Sequence, residues 1–182
     1  VTEVVRLTFI SHAMTDAMAA GRFPADEPLN TIGRRQVGAV ADEIAGGGRL
    51  FAGPEQRTRE TATLLGLQAI TEPRLSDLDC GRWRGMTLGD VPPAQLEDWL
   101  TDPTRAPHGG ESIAELVDRV AGWLKSLTDN TLPTVAVTHP AVVRAATLVA
   151  LDAAPASFWR VDVAPAGRVV MHFRGGRWAL RL

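Results

Sequence analysis

Cysteine is almost absent from this chain of 182 residues: Cys80 stands alone. No internal disulfide can form, so the fold rests on its core, and such usage suits a reducing compartment. Long apolar runs are missing too. The first nine residues lack the apolar centre of a secretory signal. The most apolar stretch, Ala141 to Ala154, is broken by Arg144 and Asp152 and is too short to span a bilayer. A cytoplasmic location with no membrane partner is the expectation. An excess of one charge is also lacking: the formal net charge is -2 and the pI about 6.1. That excludes the basic footprint of a nucleic-acid binder. Any bound anion must be held by a few placed cations. Internal repeats and low-complexity segments are absent, and a homodimer is compatible with the sequence.

What is present describes an ordinary folded domain. Apolar residues make up 45% and charged residues 22%, enough for one domain over residues 1–182 with a full-sized core. Val4 to Ile10 is a β-rich run ending at Ser11-His12. Val37, Val40, Ala41 and Ile44 recur at helical spacing until Gly46-Gly47-Gly48. Leu50-Phe51-Ala52 reads as a short strand, followed by Gly53 and a helix that Pro54 opens with Glu55 in its first turn. Ile113, Leu116, Val117, Val120, Ala121 and Leu124 form an amphipathic stripe behind a Ser112/Glu115 capping box.

Thr134 to Thr138 reads as a buried strand ending at His139, and Pro140 starts an apolar helix through Leu151. Val161 to Val163 and Val169 to Phe173 read as strands, and Gly175-Gly176 turns into Trp178-Ala179-Leu180. Alternating strands and helices predict a three-layer α/β/α sandwich with a mostly parallel central sheet and an antiparallel edge. Residues 76–110 carry four prolines and no strong period. They read as an excursion from the sheet that covers a pocket.

Ligands of open α/β sheets bind beyond the carboxyl ends of the strands. His12 and His139 sit at two such ends, and a third strand delivers the helix that carries Arg57. If those strands are neighbours, two imidazoles and a guanidinium converge.

The same segments carry a family resemblance. Ser11-His12-Ala13 with Thr15 stands where a histidine phosphatase of the phosphoglycerate-mutase-like branch has its Arg-His-Gly triplet. Asp26 to Asn30 with Gly33 and Gln36 matches the next block. Gly53 to Arg57 with Thr61-Ala62 matches the phosphate-arginine helix. Leu75 to Gly85 resembles the acidic loop, and Trp99, Pro103 and Gly109 to Ser112 match the block after it. Thr138-His139 with Val142, Val143 and Arg144 resembles the second histidine motif. The chain thus resembles the histidine phosphatase superfamily from about Val5 to Leu180.

The resemblance implies hydrolysis of a small phosphomonoester without cofactor or metal, since cationic side chains take the metal's part. It implies that His12 attacks phosphorus and becomes a phosphohistidine. Arg57 then clamps the phosphate oxygens, and His139 stabilises charge on the transferring group. Asp77 stands in the place of a glutamate general acid, a role that calls for a raised pKa. The mutases of the family carry longer insertions, which favours hydrolysis here.

Several residues depart from the pattern. Ser11 replaces a phosphate arginine and offers only one hydroxyl donor. Ala13 and Pro140 replace glycines, and Met18 stands near where an asparagine is common. Arg22 either replaces the missing cation or is a solvated loop charge. Trp83 and Trp99 either shape the substrate pocket or pack the excursion, and His108 either lines the pocket mouth or is structural. Cys80 reads as a small packed residue. The departures leave an alternative open: a weakened member that binds or senses inorganic phosphate or a phosphorylated ligand.

Overall fold

Val5, Leu7 and Phe9 are buried along β1 (Val5–Ser11), and Ile10 is buried as the strand ends. Side chains of a strand alternate between faces, so β1 feeds two separate cores. The structure is a computed structural model and describes residues 3–182. After β1 come α1 (Asp16–Ala19), α2 (Thr31–Val40), β2 (Arg49–Ala52), α3 (Gln56–Leu64) and β3 (Ile70–Thr71). They are followed by α4 (Pro93–Thr101), α5 (Ile113–Ser126), β4 (Thr134–Thr138), α6 (Pro140–Leu151), β5 (Arg168–Arg174) and β6 (Arg177–Arg181).

The six strands form one sheet in the order β3-β2-β4-β1-β5-β6. β1, β2, β3 and β4 are parallel. β5 runs antiparallel to β1, and β6 antiparallel to β5. The expected α/β/α sandwich with an antiparallel edge is the fold observed. One core joins Val5, Leu7 and Phe9 to α5 and α6, where Leu116, Val120, Trp123 and Leu124 are buried. The other joins Ile10, Val135 and Val137 to Val37 of α2 and Ala62 of α3. Each fully buried aliphatic side chain contributes about 1.5–3 kcal/mol relative to its exposed state.

The Ser112/Glu115 capping box is present, with Ser112 Oγ accepting from the Glu115 N–H at 3.1 Å. Two local expectations are corrected. Residues 161–163 form no strand, because the Val161 carbonyl accepts from Arg144 Nε at 2.7 Å instead of from a neighbouring strand. α3 begins at Gln56, not at Pro54, and Glu55 is its extended N-cap residue. The excursion holds α4, which its prolines concealed from the periodicity. Among the described residues no helix is long and apolar enough to cross a membrane.

Candidate active site

The parallel register brings three strand ends together. Ser11 lies opposite Thr138, and Ala52 opposite Val137. The His12 N–H donates to the Thr138 carbonyl at 2.8 Å, and the Gly53 N–H to the Val137 carbonyl at 2.9 Å. β1, β4 and β2 therefore release His12, His139 and Gly53 side by side. A Cβ on Gly53 would lie 2.8 Å from the Leu75 carbonyl oxygen, so only glycine allows this close approach.

His12 and His139 meet edge to face, with ring centroids 5.1 Å apart. Both are buried. His12 Nδ1 lies 2.8 Å from the Ala13 carbonyl oxygen. A carbonyl only accepts, so Nδ1 carries the proton and Nε2 keeps its lone pair. Burial, then the nearby His139 and Arg57, push the His12 pKa down from 6.5 to about 3. His12 is therefore a neutral imidazole near pH 7, with its lone pair available at the cavity that it lines.

Arg57 is buried on α3. Its Nη1 donates to the Ala25 carbonyl at 2.8 Å, and its Nη2 to Asp77 Oδ2 at 2.6 Å. The same Asp77 oxygen is 3.4 Å from His139 Nδ1. Asp77 was expected to carry a raised pKa, and the structure corrects this. Burial does push it upward, but His139 and Arg57 outweigh burial and hold it at about 2. Without a ligand Asp77 is a carboxylate.

Glu55 completes the cluster. Its Oε2 is 2.7 Å from His139 Nε2, and its Oε1 accepts from the Asp77 N–H at 2.9 Å. Burial raises the Glu55 pKa, but the bonds from His139 and Asp77 more than offset it and leave it lowered. His139 thus lies between two carboxylates, one on each ring nitrogen.

A neutral imidazole and a guanidinium at one opening, with a second imidazole buried against the first, can take phosphoryl chemistry. A model of the histidine phosphatase superfamily (branch 1) matches residues 7–182. The chain belongs to this superfamily. It is 28% identical to phosphoserine phosphatase 1 of Hydrogenobacter thermophilus, over 96% of this chain and 89% of that protein. It is 32% identical to the glucosyl-3-phosphoglycerate phosphatase of Mycolicibacterium vanbaalenii, over 87% of this chain and 79% of that protein. Among solved structures, a mycobacterial glucosyl-3-phosphoglycerate phosphatase complexed with VO3 matches at 26% identity. Its TM-score is 0.85, over 98% of both chains. A phosphoserine phosphatase of Entamoeba histolytica shares the fold at TM-score 0.89 and 22% identity, over 98% of this chain and 95% of that one. The protein is a phosphomonoester hydrolase of the histidine phosphatase superfamily.

In this histidine phosphatase the other expected site residues divide. Arg22 and Trp99 line the same cavity as His12, Arg57 and Asp77. Arg22 Nη1 donates to the Gly85 carbonyl at 3.2 Å, which holds it on the rim. Trp83 and His108 do not line it. His108 is wholly buried against Trp83, centroids 5.1 Å apart, and its Nδ1 accepts from the Gly110 N–H. Both pack the excursion from behind, which corrects their placement at the pocket. Ser11 is also off the cavity wall: its Oγ is buried without a hydrogen-bond partner. It is not placed to donate to a ligand there, as the sequence had suggested. Cys80 is buried, and burial pushes its thiol up to about 12, which rules out a ready thiolate.

A larger hollow, about 990 Å³, is lined by residues such as Arg6, Arg168 and His172 and shares none with this cluster. Size alone does not mark the site; convergence of perturbed groups does.

The depressed His12 pKa has a signed consequence for stability. Folding favours neutral His12, whereas the unfolded chain takes up a proton near 6.5. The contribution is complete above that value and is lost as pH falls toward about 3. Asp77 acts in the same direction lower down, between 3.8 and about 2. Thermal melts are expected to show stability falling on acidification below pH 6.5, with His12 contributing up to about 1.4 kcal/mol per pH unit. His12→Gln should flatten that slope at mildly acidic pH. Parallel slopes for the two proteins would show that His12 is not held neutral by the fold.

Proposed function

We propose that His12 Nε2 attacks the phosphorus of a small phosphomonoester and carries the phosphoryl group to water. The P–N bond forms as the ester P–O bond breaks, and the alcohol leaves with a proton. Water then attacks phosphorus and frees inorganic phosphate, restoring the imidazole. One observation carries this reading: a neutral imidazole with a free lone pair faces the same cavity as the buried Arg57.

The other residues take roles that follow from their contacts. Arg57 offers a planar fork to the phosphate oxygens. His139 Nδ1 is buried without a hydrogen bond in this structure, and it serves the transferring oxygens as donor. Glu55 is a positioning residue. It holds the opposite nitrogen of His139 and so fixes the ring. Asp77 protonates the leaving alcohol. Relatives named for phosphoserine and glucosyl-3-phosphoglycerate support a small phosphorylated metabolite as substrate. The single, buried Cys80 suits a reducing cytoplasm.

Stereochemistry at phosphorus tests the carrier step. Two successive in-line displacements give net retention with a chiral phosphate ester, and retention is the expected result. Inversion would mean direct attack by water and no phosphohistidine. Phosphate binding without any turnover would select the sensor reading instead.

A further inference from the structure

The cavity that opens from His12, about 180 Å³ in volume, has a wall that phosphate chemistry does not require. Phe23, Trp99, Phe158 and Trp159 line it. The rings of Trp99 and Trp159 are 4.6 Å apart at 66°, and those of Phe158 and Trp159 are 4.9 Å apart at 89°. Phe23, Trp99 and Phe158 are buried and are explained as core, but Trp159 is 38% exposed. An indole left wet beside a reactive centre loses hydrophobic stabilisation that a ligand would restore.

That indole is also held in place. It belongs to the short 3-10 segment Pro155–Arg160, against which Arg144 of α6 is set. The guanidinium lies 5.7 Å from the Phe158 ring centre and 5.8 Å from that of Trp159. Its Nε donates to the Val161 carbonyl at 2.7 Å, so cation–π contact and hydrogen bond hold the C-terminal end of the segment. Among the described residues Arg144 makes no ion pair.

Two of the polar side chains on the rest of the wall are engaged. Glu27 accepts from the Ala25 N–H at 2.8 Å, and Arg22 donates to Gly85. A polyol in this cavity would set its hydroxyls against rings. A flat ring would cover Trp159 and stack against the aromatic part of the wall.

We infer that this phosphatase selects phosphomonoesters whose alcohol carries a flat, unsaturated ring, seated on the wall of Trp159 and Trp99. This rests on the hydrolase reading for the position of the phosphate. The test uses three primary alkyl esters, so that leaving-group chemistry is matched: 2-(2-naphthyl)ethyl phosphate, butyl phosphate and glycerol 1-phosphate. The naphthyl ester should exceed the other two in kcat/KM by about 10- to 100-fold, the factor supplied when one ring stacks on an aromatic side chain. Trp159→Ala should collapse that ratio, chiefly through KM, and Trp159→Phe should restore part of it.

Binding provides a readout that does not need turnover. The naphthylethyl phosphonate should bind more tightly than butyl phosphonate by a similar factor in calorimetry, both to the native protein and to His12→Ala. Equal kcat/KM for the three esters with equal phosphonate affinities would overturn the ring site. Ring-dependent phosphonate binding with no hydrolysis of any ester would support the ring site and remove the hydrolase reading alone.

Discussion

His12→Ala is expected to abolish turnover while leaving a folded protein that still binds phosphate. The imidazole is the one group in the cluster with an unprotonated, unbonded nitrogen at the cavity. Nδ1 is tied to the Ala13 carbonyl, and burial, with His139 and Arg57 beside it, keeps the ring neutral. Alanine removes the nucleophile and leaves Arg57 in place, since Arg57 is held by Ala25 and Asp77 and not by His12. Loss of a nucleophile that acts as a unit with its partners costs on the order of 10⁴-fold or more in kcat. The backbone of residue 12 keeps its bond to Thr138. Loss of a ring that is costly to desolvate should not lower the melting temperature sharply. Steady-state hydrolysis of an aryl phosphate, a thermal melt and calorimetric titration with inorganic phosphate together check this. Hydrolysis within about ten-fold of native would assign the chemistry to another group.

Much of this site was legible because its residues sit at places where pattern and chemistry coincide. His12 and His139 end β-rich runs, and a parallel sheet puts such ends on one rim. Arg57 stands in the first turn of a helix after a third strand end, and that turn packs against the same rim. What remained hidden was set by tertiary contacts. Glu55 read as a first-turn helix acid. The helix in fact starts at Gln56, two residues after Pro54, and an extended Glu55 (φ -73°, ψ 154°) turns back across the strand ends to His139. Sequence reasoning places helix boundaries only to within a residue or two, and here that offset decides whether a carboxylate faces solvent or the catalytic cluster. Trp159 and Arg144 were hidden for another reason. A 3-10 segment carries no long period, and its join to α6 is a stacking contact between residues distant in sequence. Asp77 was found, but its charge state was not. The burial expected to raise its pKa came with His139 and Arg57 close by, and the sum has the opposite sign.

The reading of Ser11 changed as well. One hydroxyl in place of a guanidinium suggested a weakened phosphate site. In the structure Ser11 Oγ is buried and unpaired, while Arg22, Arg57 and Arg144 all line the cavity. Positive charge is therefore supplied to the opening from three other elements, and little depends on the serine. Phosphoryl transfer needs charge neutralised at the oxygens in the transition state, and the source of that charge is set by geometry, not by adjacency to the nucleophile.

Asp77→Asn should reduce kcat by roughly 10² to 10⁴ on alkyl phosphates, the range of a positioned general acid, and by less than about ten-fold on an aryl phosphate. The difference follows from how the acid is loaded. In the unliganded protein Asp77 Oδ2 lies 2.6 Å from Arg57 Nη2 and 3.4 Å from His139 Nδ1, the two donors proposed for phosphate. An arriving phosphate competes for that fork and brings negative charge beside the carboxylate. Both changes raise the Asp77 pKa from its resting value of about 2. The substrate thereby converts the carboxylate into the proton donor that its own leaving group requires. An alkoxide needs that proton, whereas a phenolate of low pKa departs without it. Asparagine also leaves the buried Arg57 without a counter-charge, so the variant should melt at lower temperature. Inorganic phosphate should restore that stability and should inhibit the variant at lower concentration than the native enzyme. The measurements are kcat and KM on one alkyl and one aryl ester, the phosphate inhibition constant, and melts with and without phosphate. An equal loss on both esters, with unchanged phosphate inhibition, would reduce Asp77 to a structural partner of Arg57 and leave the proton to come from elsewhere.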